Sequence, residues 1–295
     1  MASYVAPAEN EALAAHPETL RIIRAALSED IGPGDYTSLS TIPAGHTATA
    51  RCLIKEPCVL AGVAAARMVF AEVDPALQME PLMEDGAEAR PGDIAFYVTG
   101  DPRSILQAER VCLNILQRMS GVATLTREVV RRLEGTACRV LDTRKTTPLF
   151  RHMEKWAVRI GGGVNHRMGL YDMVMIKDNH TDFAGGIQAA MQACKTYLQA
   201  HGLSLPIEVE ARTLGEVQEI IAAGGADRIL LDNMTPDLLK TCVTYIAGRA
   251  ETEASGGIGL EQVREVALTG VTYLSMGALT HSYRSMDISL KAIRR

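Results

Sequence analysis

After residue 135 the chain settles into a rhythm that restricts its fold more than any other feature: short apolar runs alternate with helical stretches. The runs at 138–143, 173–178, 207–211, 228–233, 253–257 and 273–278 read as buried strands. Between them, 148–160, 183–200, 214–223, 236–246 and 260–269 carry helical periodicity. Gly224-Gly225 and Gly270 stand where helices are capped, and Pro236 stands where a first helical turn tolerates proline. Strands that alternate with helices build a parallel sheet.

Both an open doubly wound sheet and a closed barrel fit this rhythm, and the strand ends separate them. Polar, charged or glycine residues stand at or just past nearly every strand: Arg144 and Lys145, Lys177, Glu210, Asp232, Ser255, Gly277. In a barrel all strand C-termini meet on one face, whereas an open sheet brings together only those at a switch point. Reactive groups after six consecutive strands favour the barrel. Six strands are plain, so closure is incomplete or a further strand is hidden near 161–165.

The first 120 residues are mixed. They read as a helix at 17–28, a turn at Ile31-Gly32-Pro33-Gly34-Asp35, and strands over 46–60 broken at Pro57. A helix at 62–73 follows, then turns at Asp85-Gly86 and Arg90-Pro91-Gly92-Asp93, a strand at 94–98 and a helix at 104–119. The expected division is an N-terminal α/β domain over 1–122 and a barrel over 123–282, with the tail 283–295 packing back on the first.

Composition excludes several functions. A net charge of −5 and an aromatic content of 4% argue against a nucleic-acid partner. The six cysteines form no C-x-x-C pair and have no histidine at zinc spacing, which predicts reduced thiols in a reducing cytoplasm. The first twenty residues lack a basic stretch followed by an apolar run, and no run reaches membrane-spanning length. The expectation is a soluble cytoplasmic protein with no membrane partner.

Against that acidic balance, 144–177 is locally basic. It holds Arg144, Lys145, Arg151, Lys155, Arg159, Arg167 and Lys177 with His152 and His166, opposed by Glu154 and Asp172. A solvated helix face accounts for Arg151, Lys155 and Arg159. Arg144, Lys145 and Lys177 sit at strand ends beside apolar runs, where a charge needs compensation by an anionic ligand or by structural ion pairs. Gly161-Gly162-Gly163 before Asn165-His166-Arg167 has neither dinucleotide nor Walker spacing, and lets backbone pass close to a ligand. Glu210 and Asp232 end adjacent strands, where they can hold a hard cation such as magnesium or pair with lysines. Ser255-Gly256-Gly257 and Met276-Gly277-Ala278 are small-residue strand ends suited to a phosphate.

Together these motifs resemble a known family. Asp142-Thr143-Arg144-Lys145-Thr146-Thr147-Pro148, Gly161-Gly162-Gly163-x-Asn165-His166-Arg167, Lys177-Asp178-Asn179-His180, Leu231-Asp232-Asn233 and Glu253-Ala254-Ser255-Gly256-Gly257 are similar to quinolinate phosphoribosyltransferase, the carboxylating nicotinate-nucleotide pyrophosphorylase. Glu29-Asp30 with Gly34-Asp35, and Glu109-Arg110 with Leu113-Asn114, extend the likeness over nearly the whole chain. Leu149 departs from the glycine common there.

The resemblance implies an open α/β sandwich followed by an incomplete, seven-stranded TIM-like α/β barrel, assembled as a homodimer with shared active sites or as a hexamer. It implies transfer of phosphoribose from phosphoribosyl pyrophosphate to quinolinate with decarboxylation, giving nicotinate mononucleotide for NAD biosynthesis, with Mg2+ as cofactor. Carried over by motif, Thr143, Arg144, His166, Arg167 and Lys177 hold quinolinate, Arg110 reaches in from the partner, and Lys145 lies beside them. Glu210 and Asp232 face the ribose and the metal, directly or through water or substrate phosphates. Ser255, Gly256, Gly257, Met276, Gly277 and Ala278 hold the 5-phosphate. Lys145, Lys177, Glu210 and Asp232 form the catalytic set. The alternatives are a barrel lyase or aldolase with Lys177 as a Schiff-base lysine, and a repurposed non-catalytic homologue. Such homologues alter the Lys-Asp-Asn-His element that is intact here.

Overall fold

Residues 6–293 are described by a computed structural model. Residues 1–5, where the search for a leader began, and 294–295, which close the tail, lie outside it. The chain opens with α1 (Pro7–Ala14), α2 (Pro17–Ile31), α3 (Tyr36–Thr41), β1 (Ala48–Ile54), β2 (Cys58–Val59) and α4 (Val63–Val73). β3 (Gln78–Pro81), β4 (Glu88–Ala89), β5 (Ile94–Gly100) and α5 (Pro102–Arg132) follow. Then come β6 (Arg139–Leu141), α6 (Arg151–Gly161), β7 (Val174–Ile176), α7 (Asp178–Ala184), α8 (Ile187–Ala200), β8 (Ile207–Ala211) and α9 (Leu214–Ala223). β9 (Arg228–Asp232), α10 (Pro236–Ile246), β10 (Glu251–Ser255), α11 (Val263–Ala267), β11 (Tyr273–Ser275), α12 (Ala278–His281) and β12 (Ile288–Ala292) complete it.

These elements fall into two compact units. One holds the chain up to Arg127, Thr146–Gly162 and the residues from Ala278; the other holds Glu128–Lys145 and Gly163–Gly277. In the first, an antiparallel sheet runs β12-β1-β5-β3, so the C-terminal strand pairs with the first one. The sequence reading stopped α5 at residue 119, before Ser120-Gly121. The helix continues because Gly121 serves packing: a Cβ there would stand 2.3 Å from the Arg284 carbonyl oxygen.

The same unit corrects the reading of 148–160 as a solvated face. In α6, Lys155 is 1% exposed, and His152, Glu154 and Trp156 are buried with it. Each polar group is met: Trp156 Nε1 donates to Asn10 Oδ1 (2.8 Å), the His152 ring lies 2.8 Å from the Thr19 hydroxyl, and Glu154 accepts from the amide and hydroxyl of Thr147. Arg159 pairs with Glu9. Charge spacing alone could not show that α1 and α2 cover this face.

In the second unit, parallel strands run β6-β11-β10-β9-β8-β7. A parallel bridge from Leu141 to Val164 adds a strand position beside β6, within the stretch where a hidden strand was expected. Alternation divides each strand. Ile207, Val209, Ala211, Ile229, Leu231, Ala254 and Leu274 are buried on one face, and Glu208, Glu210, Arg228, Asp232, Glu253 and Ser255 occupy the other. A side-chain contact shows that the sheet curls round on this polar face. The Val164 position and β8 are five strand intervals apart, about 24 Å in a flat sheet. Yet His166 Nε2, two residues past Val164, lies 3.0 Å from Glu208 Oε2 on β8. The unit is an incomplete α/β barrel, with its interior face carrying the charge.

Two boundaries shift for backbone reasons. The helix expected over 183–200 is split by Gly185 and Gly186, at φ 87° and 123°. The strand expected at 253–257 ends at Ser255, because Gly256 and Gly257 turn the chain at φ 100° and 59°. Leu149 also takes positive φ, 63°, and is 78% exposed. A left-handed conformation costs an L-residue about 1–2 kcal/mol, and an exposed leucine recovers little by burial. Leu149→Gly should therefore raise stability by roughly 0.5–1 kcal/mol, after glycine's entropic penalty, as read from chemical denaturation midpoints. A fall in stability would show that the leucine side chain makes up for its backbone.

Candidate active site

The barrel gathers most of the expected residues at the C-terminal ends of its strands. Thr143, Arg144 and Lys145 follow β6, and the Thr143 hydroxyl accepts the Lys145 N–H at 3.0 Å, turning the chain there. Arg144 and Lys145 are exposed. Arg167 follows the Val164 position, Lys177 follows β7, and Glu210, Asp232 and Ser255 end β8, β9 and β10. Met276 and Gly277 follow β11. Two expected residues are placed in the other unit: Arg110, exposed on α5, and Ala278, at the start of α12.

Cations cluster on one arc of this rim. Burial and the nearby Arg144 charge both lower the pKa of the Arg167 guanidinium, as expected for cations drawn together out of water. Arg167 is held across the gap in the sheet: Nη1 donates to the Met173 carbonyl at 3.1 Å, next to β7. Lys177, nearly half exposed, faces Glu210 at 3.8 Å. The opposite arc is acidic. The Glu210 carboxyl is raised in pKa, most by burial and further by the Asp232 charge, with Lys177 acting to lower it. Asp232 accepts from Asn233 Nδ2 at 2.6 Å.

Past β10 the backbone is shaped for a close approach. Asn233 sits at φ 53° and donates its N–H to the Ser255 carbonyl at 2.9 Å. A Cβ on Gly256 would fall 2.3 Å from Asn233 Oδ1, so only glycine fits. Gly257 opens onto free space.

Under the rim lies a buried charged set in which Asp142, His166 and Glu253, known from the motifs, meet Glu208 and Arg228, which no motif marks. Asp142, fully buried at the end of β6, accepts from Asn165 Nδ2 (2.6 Å) and from the His166 N–H (2.8 Å). The His166 ring is 7% exposed, with Nε2 3.0 Å from Glu208 and 3.3 Å from Glu253. Arg228 Nη1 lies 3.2 Å from Glu253 and its guanidinium covers the Tyr273 ring. Burial pulls the imidazole pKa down, but hydrogen bonds and charge from the two glutamates outweigh it and leave it raised to about 9. The Arg167 N–H, aimed at Nδ1 from 2.7 Å, works against a proton there. Both features agree on a proton at Nε2, between the carboxylates. His166, Glu208 and Glu253 are also donors a metal ion could use. Arg228 beside them already offsets part of their charge. One signal was available: glutamates at alternate positions in I-E-V-E-A and E-T-E-A-S, inside strands otherwise apolar.

Comparison with known proteins agrees over most of the chain. Residues 35–120 match the model of the quinolinate phosphoribosyl transferase N-terminal domain, and 122–291 match that of its C-terminal domain. A Nicotiana tabacum quinolinate phosphoribosyltransferase [decarboxylating] is 47% identical over 294 residues, covering 94% of this chain and 83% of its own. A probable nicotinate-nucleotide pyrophosphorylase [carboxylating] of Bacillus subtilis is 43% identical over 275 residues, 93% of each chain. The solved structure of the Francisella tularensis nicotinate-nucleotide pyrophosphorylase superposes with a TM-score of 0.89 at 36% identity, over 95% of this chain and 99% of that one. With a cationic arc facing paired carboxylates on one barrel rim, and both domain models met in order, the chain belongs to the quinolinate phosphoribosyltransferase family.

Proposed function

We propose that this protein transfers phosphoribose from phosphoribosyl pyrophosphate to quinolinate and decarboxylates the product, forming nicotinate mononucleotide, pyrophosphate and carbon dioxide in NAD biosynthesis. The observation that carries this reading is the division of the barrel rim into a cationic arc and an acidic one, within a chain of this family. A dicarboxylate acceptor needs cations in a fixed array, and Arg144, Arg167 and Lys177 supply it, with Lys145 and Thr143 beside them. The partner subunit's Arg110 would complete the array in a homodimer, or in a hexamer built from it. Arg110 is exposed on α5, as such a role requires.

Glu210 and Asp232 take the donor side. Substitution at the anomeric carbon builds positive charge on the ribose, and two carboxylates held near it stabilise that charge. The quinolinate ring nitrogen attacks as pyrophosphate leaves; the cationic ring then accepts the electrons of the bond to the adjacent carboxylate as carbon dioxide departs, and the vacated ring carbon takes up a proton to give nicotinate mononucleotide. No covalent nucleophile takes part. Orientation and charge placement do the work.

Magnesium fits the residues present. Two oxygen donors end adjacent strands, and burial and the Asp232 charge both raise the Glu210 carboxyl, a setting that a hard divalent ion would relieve. When bound with the pyrophosphate it would supply charge neutralisation for the leaving group. Ser255, Gly256, Gly257, Met276, Gly277 and Ala278 take the 5-phosphate, and the close approach at Gly256 is what a backbone cradle needs. By sequence the domains would divide at 1–122 and 123–282, while the compact unit that holds the first also takes in Thr146–Gly162 and the chain from Ala278. A reducing compartment, the cytoplasm, suits six cysteines that are all free. Among the described residues no helix is long and apolar enough to cross a membrane.

A Schiff-base role for Lys177 is disfavoured, since its side chain is nearly half exposed and faces a carboxylate rather than cations. Two predictions follow from the assigned roles. Lys177→Ala or Arg144→Ala should weaken quinolinate binding by about 2–3 kcal/mol in calorimetric titration, with the melting temperature little changed. Unaltered quinolinate affinity in either folded variant would remove it from the acceptor site. Gly256→Ala should raise KM for phosphoribosyl pyrophosphate by about tenfold or more, with Gly257→Ala much milder, because only the first meets Asn233. Equal effects would place the phosphate elsewhere.

A further inference from the structure

His166 was expected to hold a substrate carboxylate. Its ring points the other way. Nε2 is turned down onto Glu208 and Glu253, and Nδ1 accepts the N–H of the next residue, Arg167. The ring is 7% exposed, while Glu208 is fully buried and Glu253 nearly so. Asp142 holds the same turn from its other side, through the Asn165 amide and the His166 N–H.

We propose that His166 is a positioning residue, a strut that joins the buried pair Glu208 and Glu253 to the backbone of Arg167 and so sets where that guanidinium meets the substrate. The two glutamates and Arg228 are then positioning residues in turn. This rests on the reading of Arg167 as a cation of the dicarboxylate site. The chain of contacts is continuous. Arg228, on β9, lies 3.2 Å from Glu253, and Glu253 and Glu208 lie 3.3 and 3.0 Å from Nε2. Nδ1 in turn fixes the Arg167 N–H, and the Arg167 side chain ends at Met173 O (3.1 Å) beside β7. Two fixed points, its own amide and the Met173 carbonyl, leave the guanidinium little freedom. Strands at both ends of the curled sheet contribute, so the position of Arg167 is tied to closure of the barrel.

A direct contact and a strut differ in how His166 and Arg167 combine. Residues that act through one another give non-additive effects, whereas independent contacts add. His166→Ala should raise the dissociation constant for quinolinate about ten- to a hundredfold. In an Arg167→Ala background the same change should add less than about twofold. Glu208→Gln keeps an acceptor oxygen for Nε2–H and should show a smaller loss of the same kind. Full additivity of His166→Ala with Arg167→Ala, or a Glu208→Gln variant with wild-type affinity, would overturn the strut.

The wild-type protein supplies a reading that needs no variant to fold and no substrate to bind. In a 1H–15N spectrum of histidine-labelled, ligand-free protein, His166 should show a slowly exchanging Nε2–H, persisting through neutral pH. It should keep its position when quinolinate is added. Absence of that proton, or its displacement by quinolinate, would overturn the proposal. Should the wild type fail to bind quinolinate at all, the acceptor assignment falls, while the ligand-free spectrum still decides whether the strut exists.

Discussion

The His166 imidazole, set against two buried carboxylates, ties the barrel together. Glu208 and Glu253 lie on strands separated by β9, and His166 comes from the far end of the sheet. Each glutamate alone would be an expensive charge in an apolar interior. Arg228 offsets part of that charge, and the ring nitrogen lies within 3.3 Å of both carboxylates. Breaking such a set by removing one member costs about 3–5 kcal/mol, a large fraction of the roughly 5–15 kcal/mol that stabilises a domain. A barrel whose interior face is charged is therefore held in one arrangement of strands, because any other leaves a buried charge alone.

That arrangement determines what the rim can do. Alternation places Glu210 two residues past Glu208, and Ser255 two past Glu253, so the residues buried below and those open above share one face of each strand. The lower layer holds its charged groups against one another. The upper layer does not: Arg167 and Arg144 crowd on one arc, Glu210 and Asp232 on the other. An anionic acceptor and a ribose developing positive charge answer these two arcs, which is why the chemistry needs no nucleophile from the protein.

The rim was legible in the sequence because strand ends are marked by abrupt changes in residue type: Thr143-Arg144-Lys145 after an apolar run, Asp232-Asn233, Ser255-Gly256-Gly257. Strand and helix order followed from periodicity, and β8, α9 and α10 match it to the residue. The buried layer was not legible, since a glutamate inside a strand looks the same in sequence whether it faces a helix or a charge across a barrel. The direction of the His166 ring depends on contacts with residues 42 and 87 positions away, Glu208 and Glu253. The fate of α6 failed for a related reason: its basic spacing was plain, but the cover from α1 and α2, seen in Trp156–Asn10 and His152–Thr19, was not. Motif likeness to a family singled out His166 without giving its orientation.

The central claim is chemical, and one assay addresses it most directly. Purified protein is incubated with phosphoribosyl pyrophosphate, magnesium and quinolinate labelled in the carboxyl that departs, and released carbon dioxide and nicotinate mononucleotide are both counted, with nicotinate as the control acceptor. The account predicts equal amounts of the two products from quinolinate and almost none from nicotinate. Nucleotide formed from nicotinate in preference to quinolinate, or no carbon dioxide with quinolinate, would contradict it.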